Sequence, residues 1–182
     1  MTKTHPKLRS LRFSAKRESA CAEETSQRLH LLPTPPPEDF ESFLSNYGGG
    51  SFEQEVVVLC KDPPPPHASD HRCLFGEFLD LDDDGETSLS TVWRRTQDLI
   101  SEGLTPFATV AGGDFYCLRV QETGTDIVLW DHDTANSYSV ADSFSDFVDR
   151  LEVAPRLREF DPEKIGLKLS AKLLNRLKHP DD

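Results

Sequence analysis

The chain has 182 residues, with 32 acidic against 20 basic side chains and a formal net charge of -12 at pH 7. This length fits one domain with tails, and the negative charge argues against nucleic-acid binding, because phosphate contacts need clustered Lys and Arg. No apolar run approaches the ~18 residues of a membrane span, and we expect no secretory signal, because the basic N-terminus lacks an apolar stretch.

The four cysteines are far apart in the sequence and form no CxxC pair. They are Cys21, Cys60, Cys73 and Cys117. This spacing predicts reduced thiols in a cytoplasmic chain, rather than a disulfide framework or a zinc knuckle.

Charge divides the chain into three parts. Residues 1–37 carry seven basic and three acidic side chains, and residues 154–182 carry seven basic and five acidic ones. The middle, residues 38–153, carries six basic and 24 acidic side chains, a net charge of -18. Such an acidic surface steers a basic partner at long range. The alternative is a solvated surface against which the basic ends fold back.

The first elements are a tail and two helices. Residues 1–16 are basic with little apolar periodicity, which predicts a loose arm, and residues 17–31 are compatible with a helix that the following prolines end. The next helix has an apolar stripe at i, i+3, i+4 and i+7, formed by Phe40, Phe43, Leu44 and Tyr47. Residues 48–50 are glycines and end it, since glycine accepts the left-handed conformation.

A strand over residues 56–60 is predicted by its β-branched residues. Prolines 63–66 begin a loop with four metal-capable side chains, His67, Asp70, His71 and Cys73. A zinc site and a plain surface loop are both compatible with this pattern. An acidic turn follows at residues 80–86. A helix over about residues 90–102, with Leu99 and Ile100 on its apolar side, ends at Gly103.

Four β runs are predicted at residues 107–111, 115–120, 127–130 and 138–141. Gly112-Gly113-Asp114 predicts a tight hairpin, and links this short make the strands antiparallel. A helix capped by Asp142 or Ser143 is predicted to run through Leu151, and a basic amphipathic helix is predicted from Asp161 onward. The class is therefore α+β, an antiparallel β-meander sheet packed with flanking helices.

Six short motifs occur in order between Leu32 and Leu151. They are Leu32-Pro33 with Asp39-Phe40-Glu41-Ser42-Phe43-Leu44; Asn46-Tyr47-Gly48-Gly49; the turn Leu74-Phe75-Gly76; Pro106-Phe107-Ala108 with Gly112-Gly113-Asp114; Val128-Leu129-Trp130-Asp131-His132; and Ser139-Val140-Ala141 with Ser143-Phe144. In this order they resemble the SUKH superfamily, the Smi/Knr-type domains. The resemblance implies a SUKH-like domain over residues 32–153. From the residues themselves we expect a basic N-terminal arm with a possible helix, residues 1–31, before this domain. After it we expect a C-terminal basic amphipathic helix, residues 154–182, that packs on the domain; binding to a membrane surface or a partner groove is the alternative.

The resemblance also implies a non-enzymatic protein-binding domain without a cofactor. Many bacterial members of this superfamily are immunity proteins that neutralise a cognate polymorphic toxin, often a nuclease, whereas fungal members regulate cell-wall synthesis through protein contacts. The acidic composition agrees with the first role, since many nuclease domains are basic. We therefore expect a basic toxin domain as partner, with no nucleic acid or membrane. The alternative is a regulatory or scaffold protein without a toxin partner.

The predicted partner contacts are acidic side chains in two segments: Asp80, Asp82, Asp83, Asp84 and Glu86 in the acidic turn, and Asp131 and Asp133 after a strand. The turn also copies the start of an EF-hand calcium loop, but Thr91 stands at the twelfth position, where the bidentate Glu is needed. Asp131 next to His132 has the residue types of a general base, although Trp130 is expected in the core and Asp131 to be structural or partner-facing. We expect no catalytic and no metal-binding residues.

Overall fold

A computed structural model describes residues 5–16, 22–29, 32, 35–61, 63–66, 68, 70–81, 85–101, 103–110, 112–122 and 124–155. These residues form five helices and eight strands. The helices are α1 (Pro6–Ser10), α2 (Ala22–Leu29), α3 (Glu38–Tyr47), α4 (Leu89–Thr96) and α5 (Phe144–Asp149). The strands are β1 (Phe13–Ala15), β2 (Gly50–Leu59), β3 (Arg72–Phe78), β4 (Leu104–Thr109), β5 (Phe115–Gln121), β6 (Gly124–Trp130), β7 (Ser137–Ala141) and β8 (Leu151–Val153).

One antiparallel sheet contains all eight strands. Strands β1 to β7 lie side by side in chain order, and β8 also pairs with β2. The long strand β2 holds two short strands, because β1 pairs with its start at Gly50 and β8 pairs with its later part at Val56. This architecture confirms the predicted α+β class and its meander.

The main core lies on one face of the sheet and includes buried side chains from all five helices. Phe78 of β3 is fully buried, with its ring 4.6 Å from that of Phe43 and 4.7 Å from that of Phe75. All four residues of the predicted stripe on α3 are buried, as the periodicity required. A smaller cluster forms around Cys117 and Trp130. It lies on the opposite face, because side chains alternate along a strand.

The expectation of a loose arm over residues 1–16 was wrong for the described residues 5–16. Leu8 and Leu11 are 1% and 4% exposed, and β1 pairs with β2 in register from Phe13 to Ala15. The Phe13 ring also packs 5.2 Å from that of Phe52. These contacts join residues about 40 positions apart, so local periodicity did not reveal them.

Three further predictions of secondary structure differ from the structure: one turn and the ends of two helices. The segment Leu74-Phe75-Gly76 lies within β3 and is not a turn. Helix α4 ends at Thr96, which leaves Leu99 66% exposed. Helix α5 ends at Asp149, and Leu151 begins β8 instead of closing the helical stripe.

Some predictions fall outside the described residues. They are the basic helix from Asp161, Cys21, His67 and the central acids Asp82, Asp83 and Asp84. Every helix of the described residues is too short or too polar to span a lipid bilayer.

Candidate functional site

The acidic turn begins with a carboxylate that lies inside the protein. Asp80 is 2% exposed, and its Oδ2 atom is 2.5 Å from the Lys16 ammonium nitrogen. The Thr87 hydroxyl donates a hydrogen bond of 2.9 Å to the same oxygen. A buried carboxylate needs such partners, because desolvating an unpaired charge is costly. The expectation of an exposed turn was therefore wrong for Asp80, whose carboxylate fastens the segment after β1 to the domain.

The rest of the acidic turn is only partly described. Glu86 is exposed and can reach a partner. The role of Asp82, Asp83 and Asp84 as contact residues stays a prediction. A calcium loop would take Asp80 as its first ligand, but Lys16 places an ammonium group against that carboxylate.

Asp131 and Asp133 lie in the tight turn after β6, in different environments. Asp131 is 7% exposed, and its Oδ1 atom accepts the N–H groups of Asp133 at 2.9 Å and Thr134 at 3.1 Å. This pattern is an Asx turn, in which a side chain replaces a backbone acceptor. Asp131 is thus a structural residue of the turn, whereas the side chain of Asp133 is 82% exposed.

Asp114, from the hairpin between β4 and β5, was not among the predicted site residues. Its Oδ1 atom accepts the backbone N–H of His132 at 3.1 Å and lies 2.7 Å from the His132 Nδ1 atom. This hydrogen bond, with a smaller contribution from the Asp133 charge, raises the pKa of His132 above its ordinary value. The sequence signal for this residue was the turn Gly112-Gly113-Asp114. The turn does not reveal the contact, because Asp114 and His132 are 18 positions apart in the sequence.

The chemistry of this cluster follows from what its atoms contact. Ligand atoms of Asp114, Asp131 and His132 lie within 4.8 Å of one another, close enough for a metal ion. However, one oxygen of each carboxylate already accepts hydrogen bonds from the turn. The other ring nitrogen of His132 lies 3.1 Å from the Asp133 carboxylate, and no hydrogen bond within the described part of the chain joins this imidazole to a hydroxyl or a thiol. The arrangement therefore stabilises two turns.

A groove between α1, α3 and α5 has a volume of about 1050 Å³. Its apolar floor is formed by Leu8, Phe43, Tyr47, Phe144 and Val148, and its polar rim by His5, Arg9, Glu38, Asp39, Ser42, Asn46 and Ser145. An apolar centre with a polar rim is the usual anatomy of a protein interface.

Hydrogen bonds hold the three walls of the groove in place. The Tyr47 hydroxyl accepts the backbone N–H of His5 at 2.7 Å, which fixes α1 against the end of α3. The Asp39 Oδ2 atom accepts the backbone N–H of Ser145 at 2.8 Å, which fixes the start of α5 against the start of α3. The groove is thus a formed feature of the fold.

Two carboxylates from the first turn of α3, those of Glu38 and Asp39, make one end of the groove acidic. Glu38, Asp39 and Glu41 occupy this turn, where the positive end of the helix dipole stabilises them. Glu38 is exposed at the rim, and Arg9 lies on the α1 wall. The groove is not evident from the sequence, because one of its walls comes from the segment whose pattern indicates a loose arm. The available signals were Pro6 at a helix start and the spacing of Leu8 and Leu11.

A second, smaller cavity of about 310 Å³ lies between α2 and α4. Leu29, Leu32, Leu89 and Trp93 form its apolar part, with Arg28 and Arg94 at its edge. Its charged groups are basic, so the groove is the better match for a basic partner.

Comparison with known proteins places this architecture in a family. The model of the SMI1 / KNR4 family (SUKH-1) matches residues 30–150, which include α3 to α5 and β2 to β7. A comparison with curated proteins gives no match. The matched segment contains the α3 and α5 walls of the groove and the two turns that carry Asp114, Asp131 and His132. Helix α1 and strand β1 precede it. Because the match covers well over half of the chain, as the six motifs predicted, the chain belongs to the SMI1 / KNR4 family (SUKH-1).

Proposed function

We propose that this protein is an immunity protein that binds a basic toxin domain, such as a nuclease, and neutralises it. The observation that carries the proposal is the net charge of -18 over residues 38–153, in a chain of a family whose bacterial members include many immunity proteins. A toxin domain that binds nucleic acid needs a basic active-site surface, and an acidic inhibitor complements that surface. The proposal includes a cytoplasmic location, where the protein would neutralise the cell's own toxin.

The proposed mechanism is occlusion without catalysis. Long-range attraction between the acidic domain and the basic toxin accelerates their encounter. Short-range packing then determines how long the complex lasts, because dissociation rates respond mainly to buried contacts. The domain needs no reactive group for this, and the family is generally non-catalytic.

The groove is the first surface that we assign to the toxin. It combines an apolar floor, at Phe43 and Phe144, with the exposed carboxylate of Glu38. A basic segment with one or two apolar side chains has the chemistry to fill it. The second surface is the acidic turn with the turn after β6, where Glu86 and Asp133 are exposed. Asp80 and Asp131 support these turns from inside.

Three double variants with the same charge change distinguish the surfaces. Glu38→Lys with Glu41→Lys changes one carboxylate that lines the groove and one that lies next to it in the same helical turn. Glu86→Lys with Asp133→Lys changes the two turns. The matched control is Glu53→Lys with Glu55→Lys, at exposed positions of β2. Tagged wild type and variants are used to capture partners from the protein's own cells, with low-salt and high-salt washes and mass spectrometry of the bound proteins.

We expect the wild type to retain a basic toxin domain, with less retained at high salt. The groove variant should lose most of it, and the β2 control should retain it. Equal loss in all three variants would show that net charge alone matters and would contradict the groove assignment. Capture of a signalling or cell-wall protein, with little salt dependence, would instead support the regulatory alternative.

Neutralisation itself needs a second readout. The captured toxin domain is expressed with and without this protein, and cell survival is measured together with the toxin's activity in solution. We expect survival only with wild type and the β2 control. A toxin that binds but stays active would refute the occlusion mechanism.

A further inference from the structure

Two cysteine thiols meet where β2 ends and β3 begins. Cys60 directly follows β2, Cys73 is the second residue of β3, and their Sγ atoms are 3.1 Å apart. The backbone holds the pair in place, because the Cys60 N–H donates a hydrogen bond of 2.7 Å to the carbonyl of His71. Both residues are free thiols in the main core, 5% and 2% exposed. Two residues that the sequence separates by 13 positions are thus joined at hydrogen-bonding distance.

The two thiols differ in their tendency to ionise. The hydrogen bond that they share, together with the nearby positive charge of Arg150, lowers the pKa of Cys60. The same hydrogen bond and burial raise the pKa of Cys73. Arg150 stays close because its guanidinium donates a hydrogen bond of 3.3 Å to the carbonyl of Leu59. The thiolate is the reactive form of cysteine, and the directions of the two pKa shifts make Cys60 the candidate nucleophile and Cys73 its neutral neighbour.

We propose that Cys60 and Cys73 form an oxidation site at which hydrogen peroxide converts the two thiols into a reversible disulfide. Hydrogen peroxide is small and uncharged, which suits a pair with little exposed surface. A disulfide here would bridge β2 and β3 across the proline-containing loop that begins at Pro63. Disulfides in a reducing cytoplasm are usually transient and redox-sensing, so a buried but closely placed pair fits that role.

The reaction has two balanced steps. The Cys60 thiolate attacks one peroxide oxygen and the O–O bond breaks, so that sulfur is oxidised to a sulfenic acid and peroxide is reduced. The hydroxide that leaves becomes water by taking up the proton that the Cys60 thiol lost when it ionised. The Cys73 sulfur then attacks the Cys60 sulfur, the S–O bond breaks, and the oxygen leaves as water with the Cys73 proton. The sum is two thiols and one peroxide giving one disulfide and two waters. A low-molecular-weight thiol reverses it by thiol–disulfide exchange.

Cys117 provides an internal control. It is fully buried in the cluster on the opposite face of the sheet, where it packs with Val128 and Trp130. Burial raises the pKa of Cys117, which disfavours its thiolate. If burial alone governed oxidation, Cys117 would behave like Cys60. If the paired geometry governs it, only Cys60 and Cys73 react.

The test uses the full chain with Cys21→Ser, since Cys21 lies outside the described residues. The protein is treated with hydrogen peroxide, and free thiols, intact mass and linked peptides are measured over time. We expect the loss of two hydrogens, a Cys60–Cys73 peptide link that dithiothreitol reverses, and an intact Cys117. Cys60 should lose its thiol faster than Cys117, because a lowered pKa increases the thiolate fraction and a raised pKa decreases it. Equal rates, or oxidation without the link, would overturn the proposal.

Two variants check the order of the steps, each first shown to be folded by circular dichroism. In Cys73→Ser, the Cys60 sulfenic acid has no thiol to attack it, so dimedone should label Cys60. In Cys60→Ser, dimedone should label Cys73 no more than Cys117. Labelling of Cys73 above that level would contradict the assigned roles. These readouts involve no partner, so they succeed or fail independently of the proposed immunity function.

Discussion

The ion pair between Lys16 and Asp80 allows a direct test of how the N-terminal segment is held. Replacing Lys16 with Met keeps much of the side-chain volume but removes the charge that faces a carboxylate with 2% exposure. The Asp80 carboxylate would then retain the Thr87 hydroxyl but lose its ammonium partner. The change should therefore destabilise the fold, although Lys16 stands outside the segment that the family model matches.

The size of the effect follows from the exposure of the two groups. Removing one partner of a fully buried pair costs about 3–5 kcal/mol, and an exposed pair contributes at most about 1 kcal/mol. Lys16 has a side-chain exposure of 33%, so water partly screens the pair. We expect Lys16→Met to lower the free energy of unfolding by about 2 kcal/mol, between these limits. The coupling to Asp80→Asn in a double-mutant cycle should be about 1–2 kcal/mol.

Urea unfolding followed by tryptophan fluorescence measures all four members of the cycle. Lys7→Met is the control, because Lys7 lies in the same segment and has no ion pair among the described residues. Its effect should stay within about 0.5 kcal/mol. A coupling energy below about 0.5 kcal/mol, or equal effects of the two lysine variants, would refute the view that this pair anchors the segment.

Two further predictions concern the turns. An NMR titration should give His132 a pKa above 6.5, and Asp114→Asn should bring it back toward that value, because the hydrogen bond to Asp114 is the main cause. The stability that this interaction provides is complete below the ordinary pKa and is lost as pH rises through the raised one; an unchanged pKa in Asp114→Asn would contradict this. Gly49→Ala should lower stability by about 3 kcal/mol and Gly103→Ala by only about 1 kcal/mol in thermal or urea unfolding. Both glycines have positive φ, but a Cβ at Gly49 would lie 2.7 Å from the Leu79 carbonyl oxygen, whereas a Cβ at Gly103 would meet no other described residue within 4 Å. Equal costs would show that the close approach does not matter.

The elements predicted correctly are those whose signals are local. The α3 stripe, the glycines that follow it, and the hairpin between β4 and β5 each depend on residues a few positions apart. Periodicity and turn chemistry act over the same short distances. Strand β3 also had a local signal, since buried Cys73, Phe75 and Phe78 nearly alternate with more exposed residues, but the turn interpretation obscured it.

The candidate site was less predictable, because side-chain exposure depends on distant partners. Nothing near Asp80 in the sequence indicates that its carboxylate is buried, since Lys16 is 64 positions away. The acidic turn therefore looked uniformly exposed. The groove was missed for a related reason, because its α1 wall is a helix of five residues that is stable only through packing.

The sequence alone determined the α+β class, the family and the acidic middle of the chain, because these depend on composition, short motifs and local periodicity. Only the tertiary structure decided which acids are accessible, that the N-terminal segment completes the sheet and groove, and that Cys60 lies against Cys73. Pairing along β2 brings β1, β3 and β8 together from three separate parts of the chain. Such long-range pairing follows from the burial of the whole core, which no short window of sequence contains.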